Sequence, residues 1–183
     1  MDRLQLLGHI ETYQTSFEDE YLFIPRVRSL LRNFTNCFSR SLRTGHITAS
    51  AWIIDNDSTS ALLVHHKKLN KWLQPGGHTD GKENVAEEAH REAIEETGLS
   101  TIRPVTNQIF DLDIHLIPAH GAVSAHFHYD IRFLFIADKL QPITTSHESH
   151  DVKWFDFDQI AGLTNHSRSI ERMILKAKQF SCE

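Results

Sequence analysis

A chain of 183 residues, 40% of them hydrophobic and 23% charged, is long and apolar enough for one full-sized globular domain. Its 24 acidic and 19 basic residues give a net charge of −5, which argues against a broad basic surface, so we expect no stable nucleic-acid binding. The two cysteines, Cys37 and Cys182, suit neither a metal site nor a disulfide framework, which favours reduced thiols in a cytoplasmic protein.

Nothing in the sequence indicates a targeting or membrane segment. The first twenty residues end in the acidic cluster Glu18-Asp19-Glu20 and lack the apolar core of a signal peptide. No apolar run approaches the length that a membrane-spanning helix needs. We therefore expect no membrane association.

Residues 1–45 are predicted to form a helical N-terminal extension that packs on the same domain as the rest of the chain. Apolar residues at helical spacing indicate a first helix. Ser16 is predicted to cap a second helix, and Pro25 is expected to bend or interrupt it.

From Gly45 onward the pattern predicts strands separated by turns. Residues 47–54 and 61–64 flank turn-forming residues and indicate a hairpin, and the Pro75-Gly76-Gly77 run indicates a break. A helix over about residues 84–97 follows, with Gly98 at its C-terminal cap. Further strands are predicted over residues 108–117, 127–136 and 152–157, and a last helix, capped by Asn165, carries Ile170, Met173, Ile174 and Ala177 on one face.

The helix that ends at Gly98 concentrates negative charge on one side. Like charges at helical spacing repel, so this face requires positive charge opposite it. Arg91 supplies one charge, and clustered hard carboxylate oxygens suit Mg²⁺ or Mn²⁺ better than zinc. At about 100° per residue, the acidic side chains that fall within roughly one third of the helix circumference are Glu88, Glu92, Glu95 and Glu96.

The segment from Gly77 to Leu99, GHTDGKENVAEEAHREAIEETGL, resembles the signature of the Nudix hydrolases. That signature is G-x5-E-x7-R-E-U-x-E-E-x-G-U, where U is apolar, and the segment departs from it at no specified position. The resemblance implies an α/β fold, namely a Nudix-type α/β/α sandwich on a mixed sheet with the helical N-terminal extension. It also assigns residues 46–183 to the Nudix hydrolase domain.

The resemblance further implies a set of site residues. Arg91 and Glu83 would orient the cluster of carboxylates. Glu148, on a loop six residues before Trp154, is the candidate for an additional glutamate outside the helix, and Asp151 competes with it. The divalent ions would be bound by the Gly76 carbonyl and the carboxylates of Glu92, Glu95, Glu96 and Glu148.

The role of the general base stays open between Glu92, Glu95 and Glu148, because members of the family assign it differently. Together with Arg91, these three residues form the predicted catalytic set. The implied reaction is divalent-metal-dependent hydrolysis of a phosphoanhydride bond in a nucleoside triphosphate, or in a nucleoside diphosphate linked to another group. The expected partner is a small nucleotide-like diphosphate substrate, and the N-terminal helices offer an interface for a homodimer.

Two alternatives share the fold. One is a noncatalytic ligand sensor, which typically has a degraded signature or an added DNA-binding domain, and neither feature is visible. The other resembles isopentenyl diphosphate isomerase, which relies on a catalytic cysteine in the strand region before the signature. Cys37 falls too early in the chain for that role.

His126, His128 and Asp130 alternate along one predicted strand and therefore share one of its faces. We favour a polar face that lines the substrate cleft or solvent over a second metal site, because spacing alone cannot bring His115 close. The candidates for contact with substrate phosphates are Lys67, Lys68, Lys71 and Arg132. Exposed lysines near a turn are commonplace, so Arg132 is the one we retain.

Overall fold

The computed structural model describes residues 1–121 and 123–180, so Cys182 lies outside the described residues. None of the helices in these two ranges is both long and apolar enough to cross a bilayer. The helices are α1 (Arg3–Thr12), α2 (Glu18–Asn33), α3 (Val85–Thr97), α4 (Phe157–Leu163) and α5 (Arg168–Gln179). The strands are β1 (Gly45–Asp55), β2 (Ser60–His66), β3 (Lys71–Leu73), β4 (Gly76–His78), β5 (Arg103–Pro104), β6 (Asp111–Ile117), β7 (His126–Ala137) and β8 (Ser149–Asp156).

All eight strands join one mixed sheet, whose main path runs β3-β2-β1-β7-β5. The central strands β1 and β7 are parallel along their whole length, from the pair Gly45 and Phe127 to the pair Asp55 and Ala137. Every other strand pair is antiparallel, with β4 and β6 beside the central pair and β8 beside β2. The predicted mixed sheet is thereby confirmed.

Helices cover both faces of this sheet. Ile47, Ala49 and Ala51 on β1 belong to a core shared with α1, α2 and α3, while Trp52 and Ile54 on the same strand pack against α4 and α5. Successive side chains of a strand point to opposite faces, so these two cores lie on either side of the sheet. This arrangement confirms the predicted α/β fold with N-terminal helices packed on it.

Two details of the N-terminal helices differ from the prediction. Ser16 does not cap α2, because Phe17 occupies the N-cap position and makes no side-chain cap bond. The neighbouring hydroxyl of Thr15 accepts the Phe17 amide hydrogen instead. Pro25 does not interrupt α2, which continues through it to Asn33.

The C-terminal part also departs from the prediction in two places. The helix α4 was not predicted, although Asp156 at its N-cap and Gln159, which accepts the Asp156 amide hydrogen, form a recognisable helix start. Asn165 does not cap α5, since Ser167 takes that position. The four apolar residues predicted for one face of α5 are all buried.

A buried ionic network ties the N-terminal helices to the rest of the fold. The carboxylate of Asp111, fully buried on β6, accepts hydrogen bonds from Arg132 on β7 and from Arg172 and Lys176 on α5. Lys176 also reaches Glu20 on α2, which in turn accepts the amide hydrogen of β6 at Leu112. Arg132 is therefore part of the core, and the prediction that it contacts substrate phosphates is wrong.

Replacing Asp111 with Asn is expected to lower the free energy of unfolding by about 3–5 kcal/mol, because Arg132 and Arg172 would lose their compensating charge while remaining buried. Urea unfolding followed by circular dichroism measures this change. Asp57→Asn, in the exposed turn between β1 and β2, is the control and should change the free energy by less than about 0.5 kcal/mol. Equal losses in the two variants would contradict the proposed role of the network.

The same network predicts a loss of stability in acid. Burial raises the pKa of Asp111, but the hydrogen bond from Arg172 and the charges of Arg132 and Lys176 outweigh it and hold this pKa below its ordinary value. A carboxylate with a lower pKa in the folded state stabilises the fold fully above its ordinary pKa, and this contribution is lost as the pH falls through the folded-state pKa. We expect the thermal midpoint to drop steeply below about pH 4, and less steeply in Asp111→Asn.

Candidate active site

The helix α3 is held against the sheet by its small side chains. Ala89 and Ala93 are fully buried against the core that contains Ile47 and Ala49 of β1. An alanine face allows the helix to approach the sheet closely, and the carboxylates of Glu92 and Glu96 reach the strand β4. Gly98 ends the helix in the left-handed conformation, with φ of 68°, and its amide donates to the Ile94 carbonyl.

The strand β4 brings the backbone of the glycine pair beside α3. The sequence indicated only a break here, but Gly76 pairs with Ser50 of β1 in the sheet. A Cβ at Gly76 would lie 2.2 Å from the Ser50 hydroxyl oxygen and 2.8 Å from the Ala49 carbonyl oxygen, so only glycine fits. The Gly76 amide donates a hydrogen bond of 2.9 Å to the carboxylate of Glu96.

Gly77 makes the second close approach to the helix. A Cβ at this position would come within 2.6 Å of the Glu92 carboxylate oxygen, so a side chain there would displace this carboxylate from its place beside β4. Both glycines thus hold main-chain atoms next to the carboxylates of α3.

The carboxylates of this region carry more negative charge than their surroundings offset. Burial, and then the charges of Glu92, Glu148 and Glu95, raise the pKa of Glu96 to about 7, although the Gly76 amide acts in the opposite direction. Burial also raises the pKa of Glu92, with Glu95 and Glu148 adding to the effect. A half-buried cluster that raises its own pKa values in this way is a favourable place for a cation.

Arg91 organises the outer side of the cluster. Its guanidinium donates 2.7 Å hydrogen bonds to Glu88, Glu92 and Glu95 at the same time. Lys82 forms a second ion pair with Glu88 at 2.9 Å. Although burial opposes it, hydrogen bonding from Lys82 and Arg91 holds the pKa of Glu88 below its ordinary value.

Glu83 contacts the N-terminal extension. Its carboxylate accepts the backbone amide hydrogen of Arg3, at 2.9 Å, and so joins the start of α1 to the segment before α3. Glu88, which the signature does not specify, is the acidic residue that meets Arg91 and Lys82. The sequence indicated the contacts of Glu88 with Arg91 and Lys82 only through the position of Glu88 on the acidic face of the helix.

Of the two acidic candidates outside the helix, Glu148 is the one whose charge acts on the cluster. It contributes to the raised pKa of both Glu92 and Glu96, and its backbone carbonyl accepts the Lys67 amide hydrogen. Asp151 pairs instead with Lys153 on β8, and this hydrogen bond lowers the Asp151 pKa. The two side chains therefore have different surroundings.

Comparison of the sequence with known protein families identifies the family of this chain. The sequence profile described as the NUDIX domain matches residues 44–176, which is more than half of the chain. The chain belongs to the Nudix family. The prediction of an enzyme of this family, a Nudix pyrophosphohydrolase, is thereby confirmed. A comparison with curated protein sequences found no match.

Solved structures of Nudix proteins share the fold. A Caenorhabditis elegans Ap4A hydrolase in a binary complex is 18% identical, with a TM-score of 0.59 over 73% of this chain and 96% of its own. The MutT protein of Methanosarcina mazei is 19% identical, with a TM-score of 0.57 over 78% of this chain and 99% of its own. An Escherichia coli dihydroneopterin triphosphate pyrophosphohydrolase is 18% identical, with a TM-score of 0.54 over 70% of this chain and 94% of its own.

The Nudix residues present in this chain fit a divalent cation. The carboxylates of Glu92 and Glu96 lie against the glycine backbone of β4, where a Cβ would fill the space. Hard oxygen ligands from carboxylates and a backbone carbonyl are those that Mg²⁺ and Mn²⁺ prefer. Glu95 is the most solvent-accessible of the helix ligands predicted, with 56% of its side chain exposed.

The polar face predicted on β7 is larger than the sequence indicated. Asp130 is buried and accepts hydrogen bonds from the hydroxyls of Thr48 and Ser50 on β1 as well as from Arg132. His115 pairs with His128 across β6 and β7, with ring centroids 5.5 Å apart. Sequence spacing missed this neighbour because the pairing of β6 with β7 is set by tertiary structure.

Replacing Arg91 with Lys should weaken Mn²⁺ binding by about 10–100-fold, because one ammonium cannot hold three carboxylates in the arrangement that the planar guanidinium imposes. Isothermal titration calorimetry of the metal-free protein measures the affinity. Arg43→Lys, in the segment before β1, is the control and should bind Mn²⁺ as the unchanged protein does. An Arg91→Lys affinity equal to the control would show that Arg91 does not position the ligands.

Proposed function

We propose that this chain hydrolyses a phosphoanhydride bond in a nucleoside triphosphate, or in a nucleoside diphosphate linked to another group, with Mg²⁺ or Mn²⁺ as the cofactor. The observation that supports this most directly is the excess negative charge around Glu96, where burial and the charges of Glu92 and Glu148 raise the pKa to about 7. The two side-chain cations identified nearby are Arg91 and Lys82, and both are bound to Glu88. The remaining charge calls for a metal ion.

The proposed metal ligands are the Gly76 carbonyl and the carboxylates of Glu92, Glu95, Glu96 and Glu148. A divalent ion bound there would screen the negative phosphates and lower the pKa of the attacking water. Glu96 is fixed by the Gly76 amide, and Glu92 by Arg91, so both are held in place before an ion arrives. Such preorganisation is what electrostatic catalysis requires.

Among the three candidate bases, we favour Glu148. Glu92 and Glu95 each accept a hydrogen bond from Arg91, so both carboxylates are already engaged in holding the cluster together. The side chain of Glu148 is 54% exposed and accepts no hydrogen bond from Arg91 in the described structure, so water can reach it. Glu148 would then take the proton of the attacking water as the phosphoanhydride bond breaks.

The two alternatives from the sequence have less support. Cys37 is fully buried in the core beside α1 and α2, and burial raises the pKa of its thiol to about 11, which is unsuitable for the cysteine of an isomerase-like enzyme. A noncatalytic sensor needs no intact set of acidic ligands, yet every specified position of the signature is present. Hydrolysis therefore remains the proposal.

The expected substrates have a diphosphate or longer phosphate chain. A phosphate-release screen with Mg²⁺ or Mn²⁺ should include nucleoside triphosphates, dinucleoside polyphosphates, nucleotide sugars, ADP-ribose, NADH and coenzyme A. The Ap4A and dihydroneopterin triphosphate named for two structural neighbours make these classes suitable choices. At least one compound should be turned over.

Glu96→Gln should lower turnover of that compound by about a hundredfold or more, because the neutral amide cannot supply the charge that holds the metal ion. Glu87→Gln is the matched control, since Glu87 is exposed on the same helix and belongs to no part of the proposed site. The measurement is the initial rate of phosphate release by the two variants and by the unchanged chain. Equal rates for Glu96→Gln and Glu87→Gln would overturn the proposed function.

A further inference from the structure

Three histidines from three strands meet on the polar face of the sheet, away from the carboxylates of α3. They are His46 on β1, His78 on β4 and His128 on β7. One ring nitrogen from each lies within 4.8 Å of those of the other two. The ring centroids are 5.0–5.2 Å apart in all three pairs.

The surroundings of His46 leave one of its ring nitrogens without a protein partner among the described residues. Its Nδ1 lies 3.5 Å from the Leu42 carbonyl oxygen, which can only accept, so this contact favours the tautomer that has the proton on Nδ1 and a free lone pair on Nε2. His46 is only 3% exposed, and its Nε2 has no hydrogen-bond partner in residues 1–121 and 123–180. A backbone carbonyl that orients one ring nitrogen while the other stays free is the usual arrangement of a metal-binding histidine.

His128, on the neighbouring strand, also has a ring nitrogen without a partner among the described residues. Its Nε2 is also buried without a hydrogen-bond partner in the part of the chain that the structure describes. Buried polar atoms are nearly always paired, and leaving one unpaired costs roughly 1–3 kcal/mol. Two such atoms beside a third imidazole therefore point to a ligand that the three rings share.

The charge around the cluster admits a cation. Burial lowers the pKa of His128 to about 3, so its ring is neutral at ordinary pH and does not repel a metal ion. Arg40, whose positive charge lowers the pKa of His46 and His78, is paired with Asp80 through two hydrogen bonds. Asp130, buried two residues after His128, contributes negative charge on the same face.

We propose that His46, His78 and His128 bind one transition-metal dication, with Zn²⁺ the best match. Neutral imidazoles suit zinc, copper and nickel, whereas Mg²⁺ and Mn²⁺ prefer the oxygen ligands of α3. Zn–N bonds of about 2.0–2.1 Å require the three nitrogens to be roughly 3.3 Å apart in a tetrahedral site, so the rings close slightly on the ion. Water or His126, whose ring stacks on His46 at 5.1 Å, completes the coordination.

A metal ion at this site would stabilise the strands next to the carboxylates of α3 and would take no part in the proposed hydrolysis. His78 follows Gly76 by two residues on the short strand β4, and the three ligands lie on three adjacent strands. An ion between them joins β4 to both central strands of the sheet. Zn²⁺ binding should therefore raise the unfolding temperature.

Zinc binding to the metal-free full chain can be measured by competition with a chromophoric chelator, in millimolar Mg²⁺ so that the carboxylates of α3 are occupied. We expect one Zn²⁺ per chain. His128→Ala and His78→Ala should each weaken binding by at least about tenfold, whereas the exposed control His166→Ala should not. Glu96→Gln should keep full zinc affinity, which separates this site from the proposed hydrolytic one.

Co²⁺ provides a second readout, because nitrogen coordination in a four-coordinate site gives an intense visible absorption band that should vanish in His78→Ala. The unfolding midpoint of each metal-free variant shows that it is folded. The proposal is overturned if the folded chain binds no Zn²⁺ under these conditions. It is equally overturned if both histidine variants bind as His166→Ala does, or if Glu96→Gln alone abolishes binding.

Discussion

The site depends on one electrostatic constraint, the placement of the Glu96 carboxylate in a nearly buried position among other carboxylates. Burial and the charges of Glu92 and Glu148 oppose its ionisation, and a single amide hydrogen bond from Gly76 favours it. The helix that carries Glu92 and Glu96 is stabilised by the burial of its alanine face against β1. The fold therefore holds together charges that repel one another, and the proposed divalent ion would offset this repulsion.

The rest of the molecule keeps this arrangement rigid. The parallel pair of β1 and β7 places helices on both faces, and α1 and α2 complete the core on the side that contacts α3. Buried Asp111 joins β6 and β7 to α5, and Lys176 continues the connection to Glu20 of α2. Because a buried ion pair is costly to break, these elements are expected to unfold together.

Much of this was predictable from the chain itself. The acidic face of α3 follows from helical periodicity, and the resemblance to the Nudix signature carried the fold class. What could not be predicted depends on pairing between distant segments. The histidines His46 and His78 are 32 positions apart, and only the pairing of β1 with β4 and β7 brings them to His128. The sequence suggested that Arg132 contacts substrate phosphates. In the fold, contacts with β6 and α5 bury its side chain, and it pairs with aspartates instead.

We propose that the carboxylates of α3, the Gly76 carbonyl and Glu148 together bind the catalytic cation. A crystal of the chain soaked in Mn²⁺ tests it most directly, because anomalous scattering locates manganese independently of any assumed substrate. We expect an anomalous peak between Glu92, Glu96 and the Gly76 carbonyl, with Glu148 turned towards it. Manganese bound only elsewhere on the protein, with these carboxylates making no contact to an ion, would contradict this ligand set.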